Sequence, residues 1–494
     1  MDKQLTTKVR GSRVSGVKVL GAIVLGAMVL GLAVTQAQQG PDRSKPPVLG
    51  PAPSLKLPPI VKRTLTNGLP VWIVEMHKVP LVDVTLLVKS GSASDPAGKY
   101  GLANFTADML DEGAGTRSAL DIADAIAFLG GALVTGSDWD SSIVRLHLPV
   151  SKVDDGLALM SDVALRPTMA GSEIDRLRKT RLTAILQGRD SASTLANLAF
   201  AKVLYGATHR YSAPAGGTEA SLNAMTAADL KAFHAKMYQP SNAQLIVVGD
   251  VTAAAIMPKL EKQFGRWVNT APVARVTLPP APPAGPRTVY LVNKPGAAQS
   301  QIRIGLVGVA RNTPDYFTLD VLNTILGGSF TSRLNQNLRE VHGYTYGASS
   351  SFSMRMAPGP FQAAAGVQTD KTTESLREFF KELDAIREPI PAGDLNRGKN
   401  YEALGYPESF ETLSGMASEL TSMAVYGLPA TYFNEYVPKI EAVTAAQAQA
   451  AARKYIQPDK FAIVVVGDLA KIEAGIREAN FAPVKILSVD EIVK

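Results

Sequence analysis

Residues Thr226 to Val251 read TAADLKAFHAKMYQPSNAQLIVVGDV, and Thr444 to Leu469 read TAAQAQAAARKYIQPDKFAIVVVGDL. The two stretches align without a gap at an offset of 218 residues, with 11 of 26 positions identical. Each begins on a Thr suited to cap a helix N-terminus, breaks at Gln-Pro, and continues into an apolar strand closed by Val-Val-Gly-Asp. Chance recurrence of a strand ending in Gly-Asp does not account for the matches that flank it. A repeated helix, turn and buried strand therefore implies two copies of one larger unit.

Nearly the same offset lays Leu86 to Leu110 over Ile302 to Leu326, each a hydrophobic strand followed by a loop and an apolar-periodic helix. Between the copies lies TAPVARVTLPPAPPAGP, residues 270 to 286, whose prolines exclude a helix interior or a central strand. Within the first copy, Asn67-Gly68 in RTLTNGLPVWIVE sits between two apolar stretches and predicts a hairpin. Helices are expected at Leu102 to Glu112, Val153 to Leu165, Ser172 to Gln187 and Ala228 to Met237. The expected fold is α+β: two homologous domains, 60–269 and 287–494, joined by the Pro-rich linker 270–286. Each would be a mostly antiparallel sheet with helices packed on one side.

Composition narrows the function classes. The chain has 494 residues, 46% hydrophobic and 19% charged, enough to bury a core and unlike a disordered protein. Cysteine is absent, which removes disulfides, thiol nucleophiles and thiolate metal sites. Of the net charge of +7, a surplus of four lies in residues 1 to 37 (Lys3, Lys8, Arg10, Arg13 and Lys18 against Asp2). What remains is too small to argue for nucleic acid as a partner.

That basic stretch precedes an uncharged run, Val19 to Val34, and then Thr35-Gln36-Ala37, whose small residues suit a signal peptidase. Residues 1–37 therefore read as an export signal, with an uncleaved membrane anchor as the alternative, and the Pro-rich 38–59 as an extended tether. A secreted, periplasmic protein with no stable membrane insertion after cleavage is the expectation.

Gly101-Leu102-Ala103-Asn104-Phe105-Thr106-Ala107-Asp108-Met109-Leu110, with Glu112-Gly113 and Thr116, resembles the inverted zinc-site helix of the pitrilysin (M16) peptidases, G-L-A-H-F-x-E-H-M. Leu204-Tyr205-Gly206, His209, Tyr211, Asp229-Leu230 and Phe233 extend the resemblance, which runs from about Thr64 to the C-terminus. In that family two histidines and a downstream glutamate hold zinc, and the glutamate between the histidines is the general base. Residues at i and i+4 share a helix face, so two imidazoles can reach one ion whose bound water the acid deprotonates.

Here the first histidine position is Asn104, the base position Ala107 and the second histidine position Asp108. The resemblance places the third ligand near Ala184, where there is no carboxylate. Asn104 and Asp108 offer two oxygens that suit a hard cation weakly. Ala107 cannot transfer a proton, so the resemblance implies no catalytic residue and no metal in this chain. His147 alternates as a strand residue and reads as structural, and His234, on the helix that begins at Thr226, reads as packing or surface.

The second copy departs less. Gly327-Gly328-Ser329-Phe330-Thr331-Ser332-Arg333-Leu334, Leu338-Arg339-Glu340, Gly343 and Tyr346 resemble the family's second-domain signature. By that resemblance Arg339 and Tyr346 bind substrate near the scissile bond, with Tyr344 the competing tyrosine. A guanidinium and a phenol can both donate to an oxygen that gains charge in the tetrahedral intermediate. Alternatively, Arg339 caps or pairs on its own helix beside Glu340 and Tyr346 packs at a strand start; Gly327-Gly328 themselves most simply end the helix at Leu326.

The resemblance as a whole implies a non-catalytic, substrate-binding subunit. Its partners would be a homologous zinc-containing M16 subunit, which carries the zinc, and peptide substrates. An inert peptide-binding or assembly scaffold is the second reading, and a complete enzyme with another metal geometry the third.

Overall fold

Two six-stranded sheets carry the two copies. In the first, β1 (Val61–Thr64), β2 (Pro70–Glu75), β3 (Leu81–Val88), β4 (Ala132–Ser137), β5 (Ser142–Pro149) and β6 (Ala243–Gly249) lie in the order β1-β2-β6-β3-β5-β4. In the second, β7 (Thr288–Asn293), β8 (Gln299–Val307), β9 (Thr345–Phe352), β10 (Pro360–Gln368), β11 (Ala462–Gly467) and β12 (Val484–Leu487) lie in the order β12-β7-β11-β8-β10-β9. Apart from its outermost strand, β1 or β12, each sheet places equivalent strands in the same sequence. Pairing is antiparallel except at β2-β6, β7-β11 and β7-β12.

This computed structural model describes Ser44, Gly50, 56 to 274 and 276 to 493, and the described residues from 56 on form one compact unit. The expected export signal, 1–37, and most of the expected tether, 38–59, lie outside the described residues. Among the described residues, no helix is long and apolar enough to cross a membrane.

The repeated stretches that begin at Thr226 and Thr444 fold as one motif twice. Thr226 and Thr444 each accept from the backbone three residues on and complete a capping box, with Asp229 and Gln447 respectively. A 3-10 turn starts at Pro240 and at Pro458, and the strands after these turns, β6 and β11, are buried throughout. The hairpin forms too, with Thr64 opposite Pro70. Its loop is longer than the Asn-Gly pair alone because Leu65 and Leu69 turn into the core, while Gly68 takes φ +86°.

Seven helices bear on the functional residues: α1 (Leu102–Asp108), α2 (Gly171–Gly188), α3 (Ala192–Tyr205), α4 (Tyr316–Asn323), α5 (Ala392–Gly405), α6 (Leu413–Tyr426) and α7 (Tyr432–Glu441). Two of them correct the expectation that each sheet is covered on one side only. Helix α3, from the first copy, packs Leu195, Ala196, Ala199 and Phe200 against Val464 and Val466 of the second sheet. Reciprocally, α6 lies on β3 and β6, with Ala424 and Val425 against Leu87.

Strands such as IVVVG are apolar on both faces, so each sheet needs two covers, and the copies exchange a helix to supply the second. Polar contacts fix the exchange: Ser414 donates to the buried Asp83 (3.1 Å) and Arg145 to Ser418 (3.2 Å). On the other sheet, Arg303 donates to Asn197 (2.8 Å) and Ser193 (2.9 Å). His147 lies opposite Asp83 in the ladder, 3.6 Å from its carboxylate, and His234 donates to the Ala164 carbonyl (2.8 Å) and stacks on Tyr238. His234 is thus a packing residue, and His147 is a half-buried strand residue beside Asp83.

Candidate functional site

Helix α1 is held from its N-terminal end by a buried ion pair. Asp95 accepts from the backbone N–H of Gly101 (2.7 Å) and Ala103 (2.8 Å), two donors that a helix start leaves without intrahelical partners. Arg210 donates to the same carboxylate at 2.8 Å and also to the carbonyl of Ser92. Burial raises the Asp95 pKa and lowers that of Arg210, and their mutual attraction opposes both shifts. Gly101, at φ +93°, abuts Gly216 so closely that a Cβ would lie 2.4 Å from the Gly216 carbonyl.

Shorter than expected, α1 ends at Asp108 with Met109 as its cap instead of running to Glu112. Asn104 and Asp108 share its accessible face, while Ala107 is fully buried. Asn104 Nδ2 donates to the Ser137 carbonyl at 3.2 Å.

Across from that face stands Arg181 of α2. Its Nη2 donates to Asp108 Oδ2 (2.5 Å) and to the Asn104 carbonyl (3.2 Å), and its guanidinium lies 4.8 Å from the centre of the Phe105 ring. Only 14% of the Arg181 side chain is exposed. Ala184, the position expected for the third zinc ligand, lies three residues further along α2 and is exposed on the wall of an apolar cavity of about 350 Å³ that Arg181 also lines.

The zinc that this helix pair implies can be tested against the donors. Zinc sites of this kind take imidazole nitrogens and carboxylates. Here an amide, an alanine and a carboxylate already paired with a guanidinium occupy the ligand positions, and a fixed positive charge there repels a cation. Among the described residues, no three His, Asp or Glu are grouped to hold a metal ion. The donor set does not fit zinc.

Sequence reasoning missed Arg181 although it lies in the stretch assigned to the third ligand. The available signal was paired: a new acid at the second histidine position and a base one helical turn from the third.

In the second half, α4 continues as a π-turn over Thr324–Gly328, so the two glycines extend the helix past Leu326 instead of ending it there. Gly327 is required by packing, since a Cβ would lie 2.2 Å from the Ser350 backbone nitrogen of β9. Arg333 is structural, donating to Asp394 of α5 through Nε (2.9 Å) and Nη2 (2.7 Å).

A second π-turn, Gln336–Val341, carries Arg339. Such turns recur at functional sites because they re-aim one side chain out of helical register. The Arg339 guanidinium sits 4.4 Å from the centre of the Phe330 ring and 3.5 Å from Glu340, so the local pairing considered for it is present. Gly343, at φ +64°, turns the chain into β9, the edge strand of its sheet. On that strand Tyr346 is 91% exposed, and Phe330 and Val341 of the preceding turns in sequence are exposed too. Tyr344 is half-buried and stacked on His342 at 4.9 Å.

Fold and site together define a two-domain, metallopeptidase-like chain whose metal-holding face has been rebuilt around an arginine. Family comparison agrees. A model described as Insulinase (Peptidase family M16) matches residues 71–211, and one described as Peptidase M16 inactive domain matches 224–401. The chain belongs to peptidase family M16.

An uncharacterized zinc protease of Mycobacterium leprae is 26% identical over 423 residues, covering 83% of this chain and 92% of that protein. Another, from Bacillus subtilis, is 23% identical over 69% of this chain and 82% of its own length. Among solved structures, a peptidase M16 inactive domain from Pseudomonas fluorescens superposes with a TM-score of 0.77 at 26% identity, over 83% of this chain and 98% of that one. The periplasmic protease PqqL of Escherichia coli shares the fold, with a TM-score of 0.70 at 16% identity, over 88% of this chain and 52% of that one.

Proposed function

We propose that this chain is the non-catalytic, substrate-binding subunit of a two-subunit M16 zinc peptidase, exported to the periplasm, and that Arg339 and Tyr346 complete a homologous partner's active site. One contrast carries the reading. The residues that would hold metal are replaced and internally paired, whereas Tyr346 is 91% exposed and its phenol has no hydrogen bond among the described residues.

A phenol on the edge strand β9 and a guanidinium on the π-turn before it can donate to an oxygen on a molecule outside this chain, and as the substrate carbonyl gains charge both bonds strengthen. The zinc of the partner would supply the activated water. Tyr344, whose ring is engaged by His342, is less suited to reach outward.

The test is kinetic. The purified chain alone should lack zinc and peptidase activity, and mixing it with a zinc-bearing homologue should raise the homologue's kcat/KM. Arg339→Ala should remove most of that gain, a loss of roughly 10²-fold if the side chain acts as an oxyanion donor. Unaltered kinetics with the variant complex would exclude the assigned role. Peptide capture that is equally unaltered would leave a scaffold in its place.

A further inference from the structure

The second half holds a polar cluster that the peptidase reading does not use, at the position related by the repeat to the erased metal face. With Leu86 aligned on Ile302, Asp320 stands where Asn104 stands and Thr324 where Asp108 stands. As Arg181 reaches Asn104 and Asp108 from α2, so Glu402 reaches this pair from α5. Tyr436 of α7 lies between the acids, its Oη 2.6 Å from Asp320 Oδ2 and 3.2 Å from Glu402 Oε2. Thr324 Oγ1 donates to the other oxygen of Glu402.

Counting protons decides how these contacts are made. A phenol has one proton and two ionised carboxylates have none, so Tyr436 could satisfy only one of its two neighbours. One further proton satisfies every contact: Asp320 donates to Tyr436, Tyr436 to Glu402, and Thr324 to Glu402. Without it, two negative carboxylates would face each other across a single hydroxyl in a poorly solvated site.

The other groups around the cluster do not replace that proton. Tyr316 of α4, Tyr432 of α7 and Tyr406 of the turn after α5 are aromatic neighbours, Tyr406 stacking on Tyr436 at 3.9 Å. Arg311, from the loop before α4, is the nearby cation, but it lies 3.5 Å from the centre of the Tyr316 ring and donates to Tyr432 (2.7 Å). Glu419 of α6 faces Arg311 and Tyr406 and adds negative charge. Burial first, then the charge of Glu402, raises the Asp320 pKa to about 6, with Tyr436 and Arg311 opposing.

We propose that Asp320, Tyr436 and Glu402 form a proton-operated latch across α4, α5 and α7, closed while the pair keeps its shared proton and loosened when it is lost. Helix α4 runs directly into the first π-turn, Thr324–Gly328, which lies upstream of the second π-turn that carries Arg339. The latch itself does not depend on the subunit reading, because its test reads the isolated chain.

In the unfolded chain an aspartate releases its proton near pH 4. The folded pair holds it longer, so the stabilisation is complete below about pH 4 and fades as pH rises through about 6.

Amide hydrogen exchange of the full chain, corrected for intrinsic rates, should show α4, α5 and α7 losing protection between pH 5 and pH 7.5, by about tenfold relative to α2. Asp320→Asn supplies an amide donor to Tyr436 and leaves Glu402 to accept from Tyr436 and Thr324, so it should abolish this pH response while keeping the acid-form protection. Glu402→Gln removes the charge that faces Asp320 but not its burial, so it should move the response to lower pH, and it serves if the first variant fails to fold. An infrared titration of the wild type gives an independent reading: a protonated carboxyl band should disappear over the same pH range, be missing in Asp320→Asn and disappear at lower pH in Glu402→Gln. Equal protection of the wild type at both pH values, a response that survives in Asp320→Asn, or one that is unmoved in Glu402→Gln, would overturn the latch.

Discussion

Replacing Arg181 with methionine removes the guanidinium but keeps an unbranched apolar stem, and so isolates the claim that a side-chain cation now closes the old metal face. Three close interactions are lost, besides a long bond from Nη1 to the Gly216 carbonyl at 3.5 Å. The bond to Asp108 is charge-assisted, a class that contributes roughly 1.5–3 kcal/mol when shielded. Asp108 is 42% exposed, however, and exposed ion pairs fall to about 0.2–1 kcal/mol, so about 1 kcal/mol is the fair share. The bond to the Asn104 carbonyl adds about 1 kcal/mol. Contact with the Phe105 ring contributes roughly 0.5 kcal/mol.

Arg181→Met should therefore destabilise the fold by about 2 to 3 kcal/mol, read as a lower urea midpoint at unchanged slope. A double-mutant cycle with Asp108→Asn should return a coupling near 1 kcal/mol. Arg63→Met serves as the control, since Arg63 is exposed and its guanidinium donates locally, to the neighbouring Lys62 carbonyl. A loss for Arg181→Met no larger than the control's, or a coupling of zero, would refute the reasoning.

Two further expectations come from the first half. Asp95→Ala strands the buried Arg210 and the first N–H groups of α1, and should cost roughly 3–5 kcal/mol in chemical denaturation. His234 is half-buried against the Ala164 carbonyl, and loss of solvent around the ring lowers its pKa. The unfolded chain then takes up the proton first, so stability present above about pH 6.5 is lost as pH falls. His234→Gln should flatten that acid limb in unfolding midpoints measured from pH 7.5 to pH 5.

Much of this molecule is legible in order along the chain because it depends on near neighbours. Capping threonines at 226 and 444, the Gln-Pro breaks and the strands that end in Val-Val-Gly-Asp are set within a few residues of one another, and they fold as the sequence implies. The repeat also implies two similar sheets, and the residues at 104, 107 and 108 announce a changed metal face without any coordinates. Helix ends are less legible: Met109 stops α1 early, and the glycines at 327 and 328 prolong a helix that their type suggests they end, because Gly327 is shaped by its approach to β9.

What only the tertiary structure decided are pairings between residues far apart in the chain. Arg181 and Asp108 are 73 residues apart, Asp95 and Arg210 115, and Asp320 and Tyr436 116. Periodicity shows that a helix has an apolar face but not which sheet that face will meet, so the exchange of α3 and α6 between the two copies is invisible in the sequence. The distinction between Tyr344 and Tyr346 is of the same kind. Adjacent in pattern, they part only when β9 becomes an edge strand, leaving one ring stacked on His342 and the other in solvent.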